Sequence, residues 1–206
     1  KFIFLSSIRS VSENTSGIIT EDSLSNPVTN YGLLKENIEK YLCNYKSKNS
    51  MVKIILRLTN GYGYPAHSMS DCWDLVIMNV CQQAIIDGKI VLKSNGLDCK
   101  DFMPIQSMIE VIENILSDSS LNHTHIFNIS SGTSIKVIDF IEKIKTILEL
   151  KLSKNIPIEI KGKEGSAPSN SLVIDNSKIQ KSGYLSDINH NQEIEDLINY
   201  CIKIFQ

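Results

Sequence analysis

The fold of this 206-residue chain is decided by Val52-Lys53-Ile54-Ile55-Leu56-Arg57-Leu58. A short, nearly continuous apolar run of this kind predicts a strand covered on both faces. Residues 2–5 predict a second strand of the same type. Between the two strands we predict a helix over residues 31–46, capped by Asn30, from apolar positions that recur at helical spacing: Tyr31, Leu34, Ile38, Leu42 and Tyr45. A strand, a helix long enough to cross over and a second strand indicate a βαβ unit and a parallel sheet.

The rest of the chain continues this alternation of helices and strands. We predict strands over residues 89–92, 125–129 and 156–160. We predict helices over residues 73–87, 103–116 and 194–205, and one that is capped by Ser134 and carries apolar residues to Leu148. The fold class is therefore α/β.

The composition excludes several classes of protein. The chain is 42% hydrophobic and 21% charged with a net charge of -2, which is typical of one or two folded domains and argues against nucleic-acid binding. Its apolar runs are too short to span a bilayer, so we expect no membrane partner. Five cysteines without a C-x-x-C pair indicate reduced thiols in the cytoplasm, and the four histidines show no metal-ligand spacing. We expect no metal site.

Polar residues gather where the predicted strands end. The strand at residues 52–58 runs into the glycine-rich stretch 59–65, which contains Asn60. Ser7 follows the other strand at its own carboxyl end, and Tyr31 begins the helix that connects the two. Because ligands of open parallel sheets bind outside the carboxyl ends of the strands, we expect these segments to converge on one site.

Tyr31 and Lys35 are the residue types that this site would need for proton transfer. Four residues apart on a helix, they share one face. An ammonium group near a phenol stabilises the phenolate, and the Ser7 hydroxyl can hold a substrate oxygen beside it. Ser7, Tyr31 and Lys35 together can move a proton on and off a carbinol while a nicotinamide takes or gives hydride. The spacing alone also fits an ordinary surface pair, which is the alternative interpretation.

Five segments follow one another along the chain in an order that is typical of one family. They are Phe2-Ile3-Phe4-Leu5-Ser6-Ser7; Thr20-Glu21-Asp22 with Asn26-Pro27-Val28-Thr29-Asn30-Tyr31-Gly32-Leu33-Leu34-Lys35; Leu56-Arg57-Leu58-Thr59-Asn60-Gly61-Tyr62-Gly63; Lys100-Asp101-Phe102-Met103-Pro104-Ile105; and Phe127-Asn128-Ile129-Ser130-Ser131-Gly132. Taken together, they resemble the extended short-chain dehydrogenases, and within them the NAD-dependent nucleotide-sugar epimerases and dehydratases. The resemblance covers nearly the whole chain and is looser after Lys151.

This resemblance implies an architecture and a set of roles. The fold would be a partial doubly wound parallel (Rossmann-like) sheet, formed by residues 1–66 and 100–130, with a smaller α/β substrate-binding domain from residues 67–99 and 131–206. Tyr31 would be the acid/base, Lys35 its partner and a contact to the ribose of NAD or NADP, and Ser7 the anchor of the substrate hydroxyl. Asn60 would face both nicotinamide and sugar. Lys100 would replace an arginine near the substrate diphosphate, keeping the charge but losing the bidentate fork.

The chain also departs from the family pattern. It contains no G-x-x-G-x-x-G turn, and residues 166–170 lack the family arginine before Pro-Gly-Asp. We therefore expect it to be the C-terminal portion of a longer protein that acts on a nucleotide sugar as a homodimer paired through the Tyr31 helix. Epimerisation, dehydration and reduction all remain open. The alternative is a fragment without activity of its own, or a module that binds a sugar nucleotide without catalysis.

Overall fold

The computed structural model describes residues 1–12, 17–46, 51–162 and 172–206. Its strands are β1 (Phe2–Ser7), β2 (Gly17–Ile19), β3 (Lys53–Leu58), β4 (Asn60–Tyr62), β5 (Ile90–Leu92), β6 (Cys99–Lys100), β7 (Phe102–Pro104), β8 (His125–Ile129), β9 (Ile135–Lys136), β10 (Ile158–Ile160) and β11 (Leu172–Ile174). Its helices are α1 (Asn30–Asn44), α2 (Val76–Ile86), α3 (Ile105–Ser117), α4 (Val137–Leu152), α5 (Ser177–Lys181) and α6 (His190–Phe205).

A parallel three-stranded sheet in the order β1-β3-β8 forms the centre of the fold. Ser7 pairs with Leu58, and Leu58 pairs with Ile129, so the carboxyl ends of all three strands lie at one edge. The central strand β3 is fully buried at Ile54, Ile55 and Leu56. The predicted βαβ unit, the parallel sheet and the α/β class are confirmed.

Strand β1 is less covered than its sequence predicted. Phe2 is 42% exposed and Leu5 is 45% exposed, so the prediction of a strand covered on both faces is wrong. Among the described strands β1 pairs with β3 alone, which makes it the edge of this sheet. An edge strand presents one row of backbone groups, and the side chains beside it, to solvent.

Helix α1 also buries a face that its apolar pattern did not predict. Gly32, Glu36, Glu39 and Leu42 are buried, whereas Tyr31 and Leu34 are exposed. The helix begins one residue earlier than predicted, because the extended Thr29 is its cap and accepts a hydrogen bond from Gly32 N at 3.2 Å.

Helix α4 begins after Ser134, at Val137. Ser134 is not its cap, because Ile135 and Lys136 are extended and pair with β6. Residues 166–170, which the sequence analysis found to lack the family arginine, lie outside the described part of the chain.

Two of the three apolar clusters found among the described residues are large. One joins the sheet to α3 through Ile54, Leu56, Val111, Ile115 and Phe127. The other is formed mainly by α2, α4 and α6. The division of the chain into a sheet domain and a substrate domain stays a prediction. No described helix combines the length and the apolar character needed to cross a bilayer.

Candidate functional site

Ser7 ends β1 and starts a single 3-10 turn over Ile8–Ser10. Its Oγ caps this turn by accepting a hydrogen bond from Arg9 N at 3.3 Å. The predicted substrate anchor therefore stands where the strand stops, at the carboxyl edge of the sheet.

Gly32 brings the start of α1 against this turn. A Cβ atom placed on Gly32 would lie 2.5 Å from Arg9 O and 2.9 Å from the Cβ of Pro27, distances too short for real contacts. The glycine is therefore needed for close approach of the helix to the backbone after Ser7. Tyr31, its neighbour in sequence, is held beside the same turn with half of its side chain exposed.

Lys35 links the helix to the strand. Its Nζ donates a hydrogen bond to Leu5 O at 2.8 Å and lies 5.0 Å from the centroid of the Phe4 ring and 5.5 Å from that of Tyr31. These distances allow cation–π attraction to both rings. The structure therefore brings Lys35, together with the Tyr31 ring, to β1, the strand that ends in Ser7.

Asn60 stands at the end of the central strand and is tied to Asp101. Its backbone N and its side-chain Nδ2 both donate to Asp101 O, at 3.3 and 2.8 Å. This bond fixes the amide that would face nicotinamide and sugar.

Lys100 lies on β6 opposite Ile135 and takes part in none of the ion pairs found among the described residues. It is adjacent in sequence to the residue that holds Asn60, but the structure brings it into no polar contact with Tyr31 or Lys35.

Asp101 is a buried carboxylate that the sequence analysis did not single out. Its Oδ1 accepts from Thr59 Oγ1 at 2.8 Å and from Ser131 N at 3.0 Å, and its Oδ2 accepts from Ser131 Oγ at 2.9 Å. Burial raises the pKa of Asp101, and the hydrogen bonds from Ser131 and Thr59 oppose that rise. The carboxylate thus joins the loops that follow β3 and β8 at the edge where Ser7 lies.

The sequence analysis also missed the buried ion pair between Glu39 and Arg57. Their side chains are 2.8 Å apart and almost fully buried. A signal was present, because Arg57 interrupts an otherwise apolar strand and a charge there needs a buried partner. Nothing in the sequence identified that partner.

A phenol–imidazole pair joins the end of β4 to the start of α6. The hydroxyl of Tyr62 is 2.9 Å from Nδ1 of His190. Burial raises the pKa of Tyr62 and lowers the pKa of His190, the latter with help from the charge of Lys143. Both groups are therefore neutral at pH 7 and share one hydrogen bond. Among the described residues no cluster of histidine, cysteine or carboxylate side chains could hold a metal ion.

Comparison with known proteins identifies a family for most of the chain. The model of the NAD dependent epimerase/dehydratase family matches residues 1–130. None of the curated proteins matches the chain significantly.

Solved structures of this fold cover the chain almost completely. A UDP-glucuronic acid 4-epimerase of Bacillus cereus, solved with UDP-glucuronic acid and NAD, is similar to 98% of this chain at 21% identity and a TM-score of 0.77. A UDP-N-acetylglucosamine 4-epimerase of Methanobrevibacter ruminantium, solved with UDP-N-acetylmuramic acid, is similar to 98% at 19% identity and a TM-score of 0.76. RMD of Pseudomonas aeruginosa, solved with NADPH, is similar to 98% at 15% identity and a TM-score of 0.76.

These likenesses show a shared Rossmann-like fold. The chain spans 62% of the length of each of the two epimerases and 66% of the length of RMD.

Proposed function

The chain belongs to the NAD dependent epimerase/dehydratase family, and from this premise we propose that it supplies the proton-transfer residues of an oxidoreductase acting on a nucleotide-linked sugar. One observation carries the proposal. The Lys35 ammonium lies 5.5 Å from the Tyr31 ring and is bonded to β1, the strand that ends in Ser7. This arrangement supports a proton relay of Ser7, Tyr31 and Lys35 at the carboxyl edge of the sheet.

Tyr31 would act as the acid/base in this reaction. Its half-exposed ring leaves the hydroxyl accessible to a carbinol, and the nearby ammonium stabilises a phenolate by Coulomb attraction. Ser7 would hold the oxygen of the same carbinol. Its Oγ accepts from Arg9 N, and so its own proton remains free to be donated to that oxygen. Deprotonating the carbinol prepares it to lose hydride and become a ketone.

The residues present fit one end of a nicotinamide cofactor. Lys35 and Tyr31 offer an ammonium and a phenol at an exposed edge, which suits the hydroxyls of a ribose, and Asn60 lies at the end of the adjacent strand. When bound, NAD or NADP would supply the hydride chemistry. The sequence given has no glycine-rich turn for the pyrophosphate, so the proposal assigns no residue to that group.

UDP-sugars are the substrate class that the similar structures support, since the two 4-epimerases carry UDP-linked ligands. In this chain Asn60 would contact the sugar and Lys100 the diphosphate. The choice between epimerisation, dehydration and reduction is left open by these residues.

We propose a homodimer paired through α1, and the exposed apolar side chains of that helix support it. Leu33, Leu34 and Tyr41 are 41%, 58% and 65% exposed. We also retain the cytoplasm as the location, which the five free cysteines support. Light scattering of the purified protein tests the dimer, and a monomer at micromolar concentration would exclude it.

Turnover of UDP-sugars tests the proposed function. The wild-type protein, expressed together with whatever chain its gene encodes before Lys1, is incubated with UDP-glucose, UDP-glucuronic acid or UDP-N-acetylglucosamine and NAD or NADP, and products are separated by chromatography. Tyr31→Phe should lower turnover by about a thousandfold or more while leaving nucleotide binding nearly intact, because the phenolic hydroxyl that carries the transferable proton is removed. Tyr41→Phe is the matched control, a second exposed tyrosine of the same helix.

Near-wild-type turnover of the Tyr31→Phe variant would remove Tyr31 as the acid/base. A wild-type chain that binds UDP-sugars but neither turns them over nor binds NAD(P) would favour the alternative of a non-catalytic binding module.

A further inference from the structure

The turn after β1 is tied to α1 by two serine hydroxyls that lie on either side of Ser7. Ser6 Oγ and Ser10 Oγ both donate to Oε1 of Glu39, the latter at 2.7 Å. Ser6 is 3% exposed and Ser10 is fully buried, so neither hydroxyl has water as an alternative partner. The segment that carries Ser7 is therefore held at both of its ends by one carboxylate oxygen.

The other oxygen of Glu39 serves a different purpose. Oε2 accepts from Nε and Nη2 of Arg57, at 3.0 and 2.8 Å. The remaining terminal nitrogen of Arg57, Nη1, donates to Glu21 O at 3.1 Å, and Glu21 Oε1 accepts from Asn128 N at 2.8 Å. The ion pair thus anchors α1 to β3 and, through Glu21, to β8.

Glu39 lies on the same helix face as the proposed proton relay, four residues after Lys35 and eight after Tyr31. We propose that Glu39 is a positioning residue, which sets the distance between Ser7 and Tyr31 by holding the Ser7 turn against α1. This inference rests on the proposed function, because it assigns Glu39 to the geometry of that same reaction. It also explains why a carboxylate occupies the buried side of a helix whose exposed side is apolar.

The two oxygens of Glu39 have different partners, which distinguishes this residue from a member of an ordinary buried ion pair. Arg57 alone would neutralise the charge of Glu39, and both of the N–H groups that it directs to Glu39 contact Oε2. The contacts of Oε1 are directed to the Ser7 turn. Proton transfer is sensitive to displacements of about 1 Å, so loss of these two bonds should slow the reaction.

The test removes the two hydroxyls and leaves the ion pair intact. Ser6→Ala/Ser10→Ala is compared with Ser117→Ala/Ser182→Ala, which removes two exposed serine hydroxyls that bond only to backbone carbonyls elsewhere. Replacing Glu39 itself would strand the buried Arg57 and confound positioning with unfolding.

Amide hydrogen exchange is the first measurement, because it does not depend on turnover. Val11 N and Ser12 N both donate to Ile8 O within the turn, and we expect their exchange to become about tenfold faster in Ser6→Ala/Ser10→Ala while the amides of β3 are unchanged. Steady-state kinetics is the second. We expect kcat to fall about tenfold or more with little change in KM for the UDP-sugar, and the control variant to match wild type.

The outcomes are distinguishable. Unchanged exchange at Val11 and Ser12 would show that Glu39 does not hold the turn, and would overturn the proposal whether or not the protein is an enzyme. Faster exchange with unchanged kcat would overturn the positioning role. Absence of any turnover in the wild-type protein would refute the proposed function instead, and the exchange data alone would then decide whether Glu39 holds the turn.

Discussion

Replacing Asp101 by alanine and by asparagine should give two very different losses of stability. Alanine removes the acceptor for Thr59 and Ser131 and leaves the partly buried Ser131 N without a partner, whereas the Thr59 and Ser131 hydroxyls can rotate to other acceptors. The expected loss is about 2–4 kcal/mol, from one partly buried amide without a partner and two weakened bonds, and it is partly offset because a buried charge is removed.

Asparagine can keep its oxygen at the position of Oδ1, where Thr59 Oγ1 and Ser131 N donate. Its NH₂ group then meets only Ser131 Oγ, a hydroxyl that can turn and accept while donating to Thr133 O, 3.1 Å away. The expected cost is about 1 kcal/mol, since one hydrogen bond loses its ionic character.

Urea unfolding followed by circular dichroism measures the free energy of unfolding of both variants. Asp98→Asn, directly before β6, is the control. Equal losses for Asp101→Ala and Asp101→Asn would refute this reasoning, because the negative charge and not the pattern of acceptors would then hold the loops together. A loss below about 1 kcal/mol for Asp101→Ala would refute it as well.

Three further predictions concern the same protein. Gly32→Ala should destabilise it in urea unfolding, because about 1–3 kcal/mol of overpacking against Arg9 O exceeds a gain of about 1 kcal/mol in helix propensity; a more stable variant would contradict the close approach. His190→Gln should reduce the loss of stability on acidification, because burial lowers the pKa of His190 in the folded protein. The stability that the neutral imidazole contributes is complete above the pKa of the unfolded chain, about 6.5, and is lost as the pH falls toward the pKa of the folded protein. The free energies of unfolding of wild type and variant are compared between pH 7.5 and 5, and parallel curves would contradict the prediction. Tyr184→Phe should raise the pKa of Asp118 from about 2 toward its ordinary value, because the Tyr184 hydroxyl is the strongest donor to that carboxylate; carbon-13 NMR titration of the carboxyl follows it, and an unchanged midpoint would rule out the bond.

The sequence was sufficient for the sheet and for the convergence of its loops. The apolar run at residues 52–58 is buried from 53 to 57 because both faces of β3 are covered, and it is recognised from hydrophobicity alone. The closeness of Tyr31 and Lys35 follows from helical spacing in the same way.

The face of α1 could not be predicted because its burial is decided by a long-range ion pair. Apolar spacing assigned Leu34 to the interior, but Glu39 occupies that side, and its charge is neutralised only by Arg57 from a strand 18 residues later. The start of α4 was misplaced for a similar reason, since pairing of Ile135 with β6 keeps the backbone extended past Ser134. Local preferences are overridden in both cases by contacts between distant segments.

The bond from Lys35 to Leu5 O also bears on self-association of the protein. Among the described strands β1 is the edge of its sheet, with the exposed side chains of Phe2 and Leu5 beside it, and uncovered edges pair readily with strands of other molecules. A hydrated ammonium held at the middle of that edge opposes this pairing, because a second strand would have to displace water and approach a positive charge. The residue proposed to assist proton transfer therefore also places a positive charge on the exposed side of β1.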